Sequence, residues 1–138
     1  MMSRPNAESK NLVVVCTGDI DQEMVPASPG GVYNGQTQLT PKFASIQVGA
    51  SGSNAIVAAV SGKKIRVLAY TLFASGAVNA KFQSAANDKT GLKYFAANGG
   101  ISAAFCPVGW FETNAGEALN LNLSGAVAVG GELVYAEV

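Results

Sequence analysis

The stretch "KKIRVLAYTLFASGAVNAKFQS", residues 63–84, decides the fold class. Its first half is long and dense in β-branched and aromatic residues. In its second half Val78, Ala80 and Phe82 alternate with Asn79, Lys81 and Gln83. A strand sends two such sets to opposite faces, one to a core and one outward. The pair Ser75-Gly76 between the halves is a turn signal, so the stretch predicts two strands joined as a hairpin.

Working outward, the same grammar repeats. "KFASIQVGA" (42–50) sets Phe43, Ser45 and Gln47 against Ala44, Ile46 and Val48, and "NAIVAAV" (54–60) follows the breaker "SGS". "LKYFAA", "ISAAFC" and "VGWFET" come after the loops "NDKTG" and "NGG". In "EALNLNLSG" (117–125), Leu119, Leu121 and Leu123 alternate with Asn120 and Asn122. The last run, "AVAVGGELVYAEV", is interrupted by Gly130-Gly131, which predicts a bulge or sharp bend. No segment sustains a 3.6-residue period with caps. Short strands at near-regular spacing predict an all-β protein, a single antiparallel β-sandwich. Jelly roll is favoured over immunoglobulin-like, because Trp110 follows both cysteines instead of lying between them.

Toward the N-terminus the signals thin out. Residues 1–10 form a polar arm containing Arg4 and Pro5, without periodicity, expected to be pinned by its own domain or a neighbour. Residues 11–138 form the sandwich domain. "NLVVVC" (11–16) reads as a buried strand. From about 19 to 41 runs a long polar loop with Pro26, Pro29 and Pro41, and an extended piece around Val32-Tyr33. Loops of this length are usually functional or docked on something.

Composition narrows the function. Of 138 residues only 13% are charged, about half the usual share. Such a surface suits a protein that partners cover. Nine basic residues balance nine acidic ones, which argues against nucleic acid as a partner, since phosphates demand a basic footprint. Lys63, Lys64 and Arg66 read as a solvated edge that blocks stray pairing. No apolar stretch reaches the roughly 18 residues of a membrane span, and the start lacks the apolar stretch of a secretory signal. No membrane partner is expected.

Chemistry is scarce. The chain has no histidine, which removes the Ser-His-Asp and Cys-His arrangements and the usual zinc sets. Asp19, Asp21 and Glu23 alternate, but the other calcium-loop ligands are missing, so they read as a polar loop. Glu112 and Glu117 flank a turn and are the minimum pair for glycosidase-type catalysis, without substrate-orienting groups. Neither an enzyme nor a cofactor is expected. Cys16 and Cys106 read as core thiols of a protein made in a reducing cytoplasm, and their pairing stays open. The candidate protein-interface residues are Arg4, Pro5, Tyr33, Trp110, Phe111, Asn120 and Asn122. One ring of Trp110-Phe111 must face out, as a cap, an interface anchor or a sugar-stacking surface. Asn120 and Asn122 offer neutral hydrogen bonds to water or to another protein.

Residues 54–138 resemble the capsid cementing (decoration) proteins of tailed bacteriophages, those of Bordetella phages most of all. The Ser-Gly-Lys-Lys turn, the Gly-Trp-Phe-Glu-Thr segment and the Leu-Asn-Leu-Asn-Leu strand carry the likeness. The resemblance implies a jelly-roll module on the outer capsid surface of a virion, made in the bacterial host cytoplasm. It implies the major capsid protein as partner, self-association as a homodimer or homotrimer, and no reaction. A receptor- or glycan-binding sandwich displayed on a virion is the alternative.

Overall fold

A computed structural model describes residues 31–138, and every described element is a strand or a turn. In chain order the strands are β1 (Tyr33–Asn34), β2 (Thr37–Gln38), β3 (Lys42–Val48), β4 (Gly52–Val57), β5 (Ile65–Ala74) and β6 (Val78–Ser84). They continue with β7 (Asn87–Asp88), β8 (Lys93–Phe95), β9 (Gly100–Ala103), β10 (Phe111–Glu112), β11 (Leu119–Leu123) and β12 (Val129–Glu137). The all-β antiparallel sandwich is as the alternation predicts.

Sheet 1 runs β3-β12-β5, with β9 and β10 sharing the far side of β5. Sheet 2 runs β4-β11-β6, with β7 and β8 sharing the far side of β6. If each shared side is taken as one broken strand, the described strands from β3 onward number eight, and the first of them pairs with the last, the second with the seventh, the third with the sixth and the fourth with the fifth. That nesting is an antiparallel ribbon folded over on itself into two packed sheets. β3 and β4, adjacent in the chain, lie in different sheets.

The hairpin expected at Ser75-Gly76 is not formed. β5 belongs to sheet 1 and β6 to sheet 2, so residues 75–77 cross from one sheet to the other. Three residues reach about the 10 Å between packed sheets, and both strands then bury their apolar faces in the same core. The core joins Ile65, Val67, Tyr70 and Leu72 of β5 to Phe82 of β6, the three leucines of β11, and Val129 and Leu133 of β12.

At Gly130-Gly131 the expected irregularity is one-sided: against β5 the pairing skips Gly131 and Glu132. β12 keeps an unbroken register with β3 through both glycines. A second irregularity against β5 follows, where Tyr135 pairs with Val67 and Val134 with Ala69, leaving Leu68 of β5 as the extra residue. Inward positions on β5 therefore change from Ile65 and Val67 to Tyr70, Leu72 and Ala74. Leu68 is turned to the outer face, buried with Val32 and Ala136 and flanked by Leu39 and Val134. Thus the β1–β2 hairpin is seated on the outside of sheet 1.

Candidate interaction surfaces

The two outer faces of the sandwich have opposite chemistry. On sheet 2, β11 is central, so Asn120 and Asn122 are half-buried between β4 and β6 while the leucines fill the core. Asn120 is paired across the strands with Gln83, and Asn122 with Lys81. Gln83 accepts a bond from Ser53 at 3.0 Å and donates to Asp88 at 2.7 Å. Lys81 reaches the other Asp88 oxygen at 3.0 Å. The Gln83 amide, then Lys81, holds the Asp88 carboxyl below its usual range. The Asn120 amide donates to the Ala85 carbonyl at 3.0 Å. This face is a mesh of neutral amides with little net charge, and Tyr94 stands at its border, 76% exposed.

Sheet 1 is the apolar side. Among the described residues, Phe43, Phe73, Ile101, Phe105, Val108 and Trp110 are large exposed apolar side chains on this sheet or its β9–β10 connection. Only Leu92 and Tyr94 lie elsewhere. Phe43 is paired with Val134 on the outer face and is 79% exposed. A shallow groove of about 290 Å³ runs beside it, lined by Ala69, Thr71, Phe105 and Val134, with Ser102 and Glu132 at the rim. Exposed apolar side chains gathered on one side of a fold mark places where proteins meet.

The β9–β10 connection closes one edge of that face. Trp110 is 53% exposed, and its indole N–H donates to the Ala104 carbonyl at 2.8 Å, which fixes the ring without burying it. Phe111, its neighbour, points inward. Its ring lies 5.0 Å from that of Phe82 and 6.3 Å from that of Tyr70, so it packs, half-buried, against the core instead of standing out as an anchor. The alternation rule explains the split: Phe111 pairs with inward Val67 and Glu112 with outward Arg66.

Tyr33 is half-buried at the end of the same face. Together with Arg66, Glu112, Pro107 and Val108 it borders a second recess of about 440 Å³. Arg66 holds Glu112 at 2.7 Å and reaches the Tyr33 carbonyl at 3.4 Å, and Lys64 lies 3.8 Å from Glu112. The cations read as a solvated edge are thus partly spent on one carboxylate. Arg4, Pro5 and Cys16 lie outside the described residues, as do Asp19, Asp21 and Glu23.

Glu112 and Glu117 do not share a site. Glu112 faces Arg66, while Glu117 accepts the buried Ser84 hydroxyl at 2.5 Å and the Asn114 amide at 3.1 Å. Among the described residues no group of three His, Cys, Asp or Glu side chains gathers to hold a metal ion. No described helix is long and apolar enough to cross a membrane. Half-buried Lys93 of β8 lies 5.8 Å from the Tyr70 ring and 5.7 Å from the Phe82 ring. Burial pushes its ammonium below, and the Tyr70 phenol above, their ordinary values.

Sequence reasoning singled out Trp110 but not Phe43, Phe105 or the groove between them. For Phe43 the signal was present, since it alternates in phase with Ser45 and Gln47. Phe105 gave none, because it ends an apolar run that resembles any core strand.

No family model matches the chain, and no curated protein does. Among solved structures, the chain is similar to a protein of the cyanophage Pam1 capsid asymmetric unit. The TM-score is 0.46 and the identity 13%, covering 91% of this chain and 99% of the other.

Proposed function

We propose that this protein is a virion structural component of a tailed phage, bound to the outer face of the capsid, where it cements neighbouring major capsid subunits against the outward pressure of the genome. It performs no reaction. The observation that carries the reading is the one-sided surface: the exposed apolar side chains gather on sheet 1 and its edge, while sheet 2 presents amides and a paired Lys81–Asp88. The low charge of the chain and the likeness of residues 54–138 to cementing proteins, those of Bordetella phages included, support the same conclusion. A clamp has only to bind the assembled lattice better than free subunits to stabilise it, and many copies of a modest contact suffice.

The test is addition of the purified protein to shells lacking it. Saturable binding, with a rise in the temperature at which filled particles burst, is expected. Failure to bind such shells overturns the proposal. The second reading, a receptor- or glycan-binding sandwich on the virion, is favoured by one observation, the exposed and rigidly tethered Trp110 ring. Particles lacking the protein that adsorb to hosts at full rate would exclude it.

A further inference from the structure

We propose that the outer face of sheet 2 is a binding surface for neutral oligosaccharide, separate from the Trp110 edge and from the apolar side of sheet 1. Its use on a particle rests on attachment through sheet 1, which turns sheet 2 toward the medium; the binding itself does not.

The surface begins with residues that strands disfavour. Asn79 lies in β6, and Asn120 and Asn122 in β11, although Asn is depleted from strands. Alternation with Val78, Ala80 and the three leucines points them outward, so the core does not require them. Threonine would meet water at these positions without that penalty. Register then gathers them. Gln83 lies beside Asn120, Lys81 beside Asn122, and Tyr94 of β8 beside Asn79. From β8 across to β4, three strand gaps span about 14 Å, and Asn79 to Gln83 covers about as much along β6. Several sugar rings lying flat fit a plate of that size.

The plate is held ready. Gln83 is only 7% exposed, and both ends of its amide are fixed, by the Ser53 hydroxyl at 3.0 Å and by Asp88 at 2.7 Å. Lys81 holds the other Asp88 oxygen at 3.0 Å. By contrast, the Asn79 and Asn122 amides are tied to no other described residue. Among the described residues Asn120 uses only its amide nitrogen, on the Ala85 carbonyl. Half-burial restrains these three side chains while leaving donors and acceptors open. A ligand that meets groups already in place loses less freedom on binding.

The chemistry selects the occupant. Lys81 and Asp88 pair with each other, so the plate has no basic footprint for phosphates. Its exposed large apolar side chains, Tyr94 and Leu92, stand at the border, and its middle has none to drive a protein contact. A sugar hydroxyl is donor and acceptor at once, and a side-chain amide answers both. The C–H face of a sugar ring is apolar and packs on an open aromatic plane, which Tyr94 supplies at 76% exposure. Hydrogen bonds exchanged with water bring a modest net gain, so each copy binds weakly and repeated copies on a particle multiply the effect.

In the experiment, soluble full-length protein is passed over an array of neutral oligosaccharides, with sulfated and sialylated ones as charged controls. The strongest neutral ligand is then titrated by NMR. Retention of neutral glycans is expected. Tyr94→Ala should weaken the titrated binding about tenfold, and Tyr94→Phe should keep it, because the ring is what stacks. The Asn79→Ala, Asn122→Ala double variant should also weaken it about tenfold or more. Unchanged unfolding midpoints show that these variants are folded. Trp110→Ala and Phe43→Ser should leave retention as it is. Retention of no neutral glycan, or of charged glycans alone, overturns the proposal. Binding that ignores Tyr94→Ala or the double variant, or that is lost with Trp110→Ala, likewise overturns it. Shell binding is scored separately. Shells bound by a protein that retains no neutral glycan sink this inference alone, whereas glycan retention by a protein that ignores shells sinks the proposed function alone.

Discussion

At Gly131 a single hydrogen does structural work. Its φ is +157°, and a Cβ there would stand 1.9 Å from the Thr71 carbonyl oxygen of the neighbouring strand. The Thr71 hydroxyl then takes part in the ladder, accepting from the Glu132 N–H at 3.1 Å and donating to its carboxylate at 3.0 Å. Gly131→Ala should therefore force β12 away from β5 and cost about 3 kcal/mol, read from denaturant unfolding. A doublet of glycines announced an irregularity, but no local signal tells a bulge from a close approach by an unseen strand. Lys93 and Tyr70 give a pH-dependent counterpart. The folded ammonium titrates below the ordinary 10.5, so in the window between those values the unfolded chain binds more protons and stability climbs with pH. The Tyr70 phenol is raised above 10.0, so above that value the folded chain keeps a proton that the unfolded chain loses, and stability falls. Denaturant midpoints from about pH 8 to 11 should show a rise that Lys93→Met abolishes and a fall that Tyr70→Phe abolishes.

For whole elements, β11 shows what alternation reveals and what it hides. Leu119, Leu121 and Leu123 are fully buried, as a period of two demands. Leu121→Ala should cost about 2–5 kcal/mol, because a central strand between two bonded neighbours cannot collapse into the cavity. Asn120 and Asn122 sit on the opposite face, half-buried, so the Asn120→Ala, Asn122→Ala double variant should stay within about 1 kcal/mol of the parent. If the double variant's midpoint dropped as far as that of Leu121→Ala, the amide mesh would be structural and not a surface for partners. Which strands neighbour β11 was not legible. Ser75-Gly76 and Ser124-Gly125 look like hairpin turns, yet each carries the chain to the other sheet. A short Ser-Gly connection satisfies either geometry, and the choice falls to contacts between residues far apart in sequence, such as Leu121 with Phe82. The register shift at Leu68 was hidden for the same reason, since an apolar residue among apolar neighbours carries no mark of its direction.

At the scale of the molecule, the distribution of charge and apolar surface predicts how any large contact should behave. The chain carries nine basic and nine acidic residues, and several are already spoken for: Arg66 and Lys64 on Glu112, Lys81 on Asp88, Lys42 on Glu137. Little unpaired charge is left among these to steer a partner. The exposed rings of Phe43, Phe73, Phe105 and Trp110 lie on one sheet and its edge, where removing them from water is the available driving force. Shell binding through this face should then change less than about threefold between 50 mM and 500 mM salt, whereas association led by charge weakens steeply over that range. The same contact should show a negative heat-capacity change, the mark of apolar burial. Phe43→Ser and Phe105→Ser should each weaken shell binding by about 1–3 kcal/mol while leaving the unfolding midpoint nearly unchanged, since exposed rings contribute little to the fold. Titration calorimetry at several temperatures and two salt concentrations reads all three. Binding that collapses at 500 mM salt, or that ignores both phenylalanine changes, would move the contact to another face of the sandwich, with the amides of sheet 2 as the next surface to mutate.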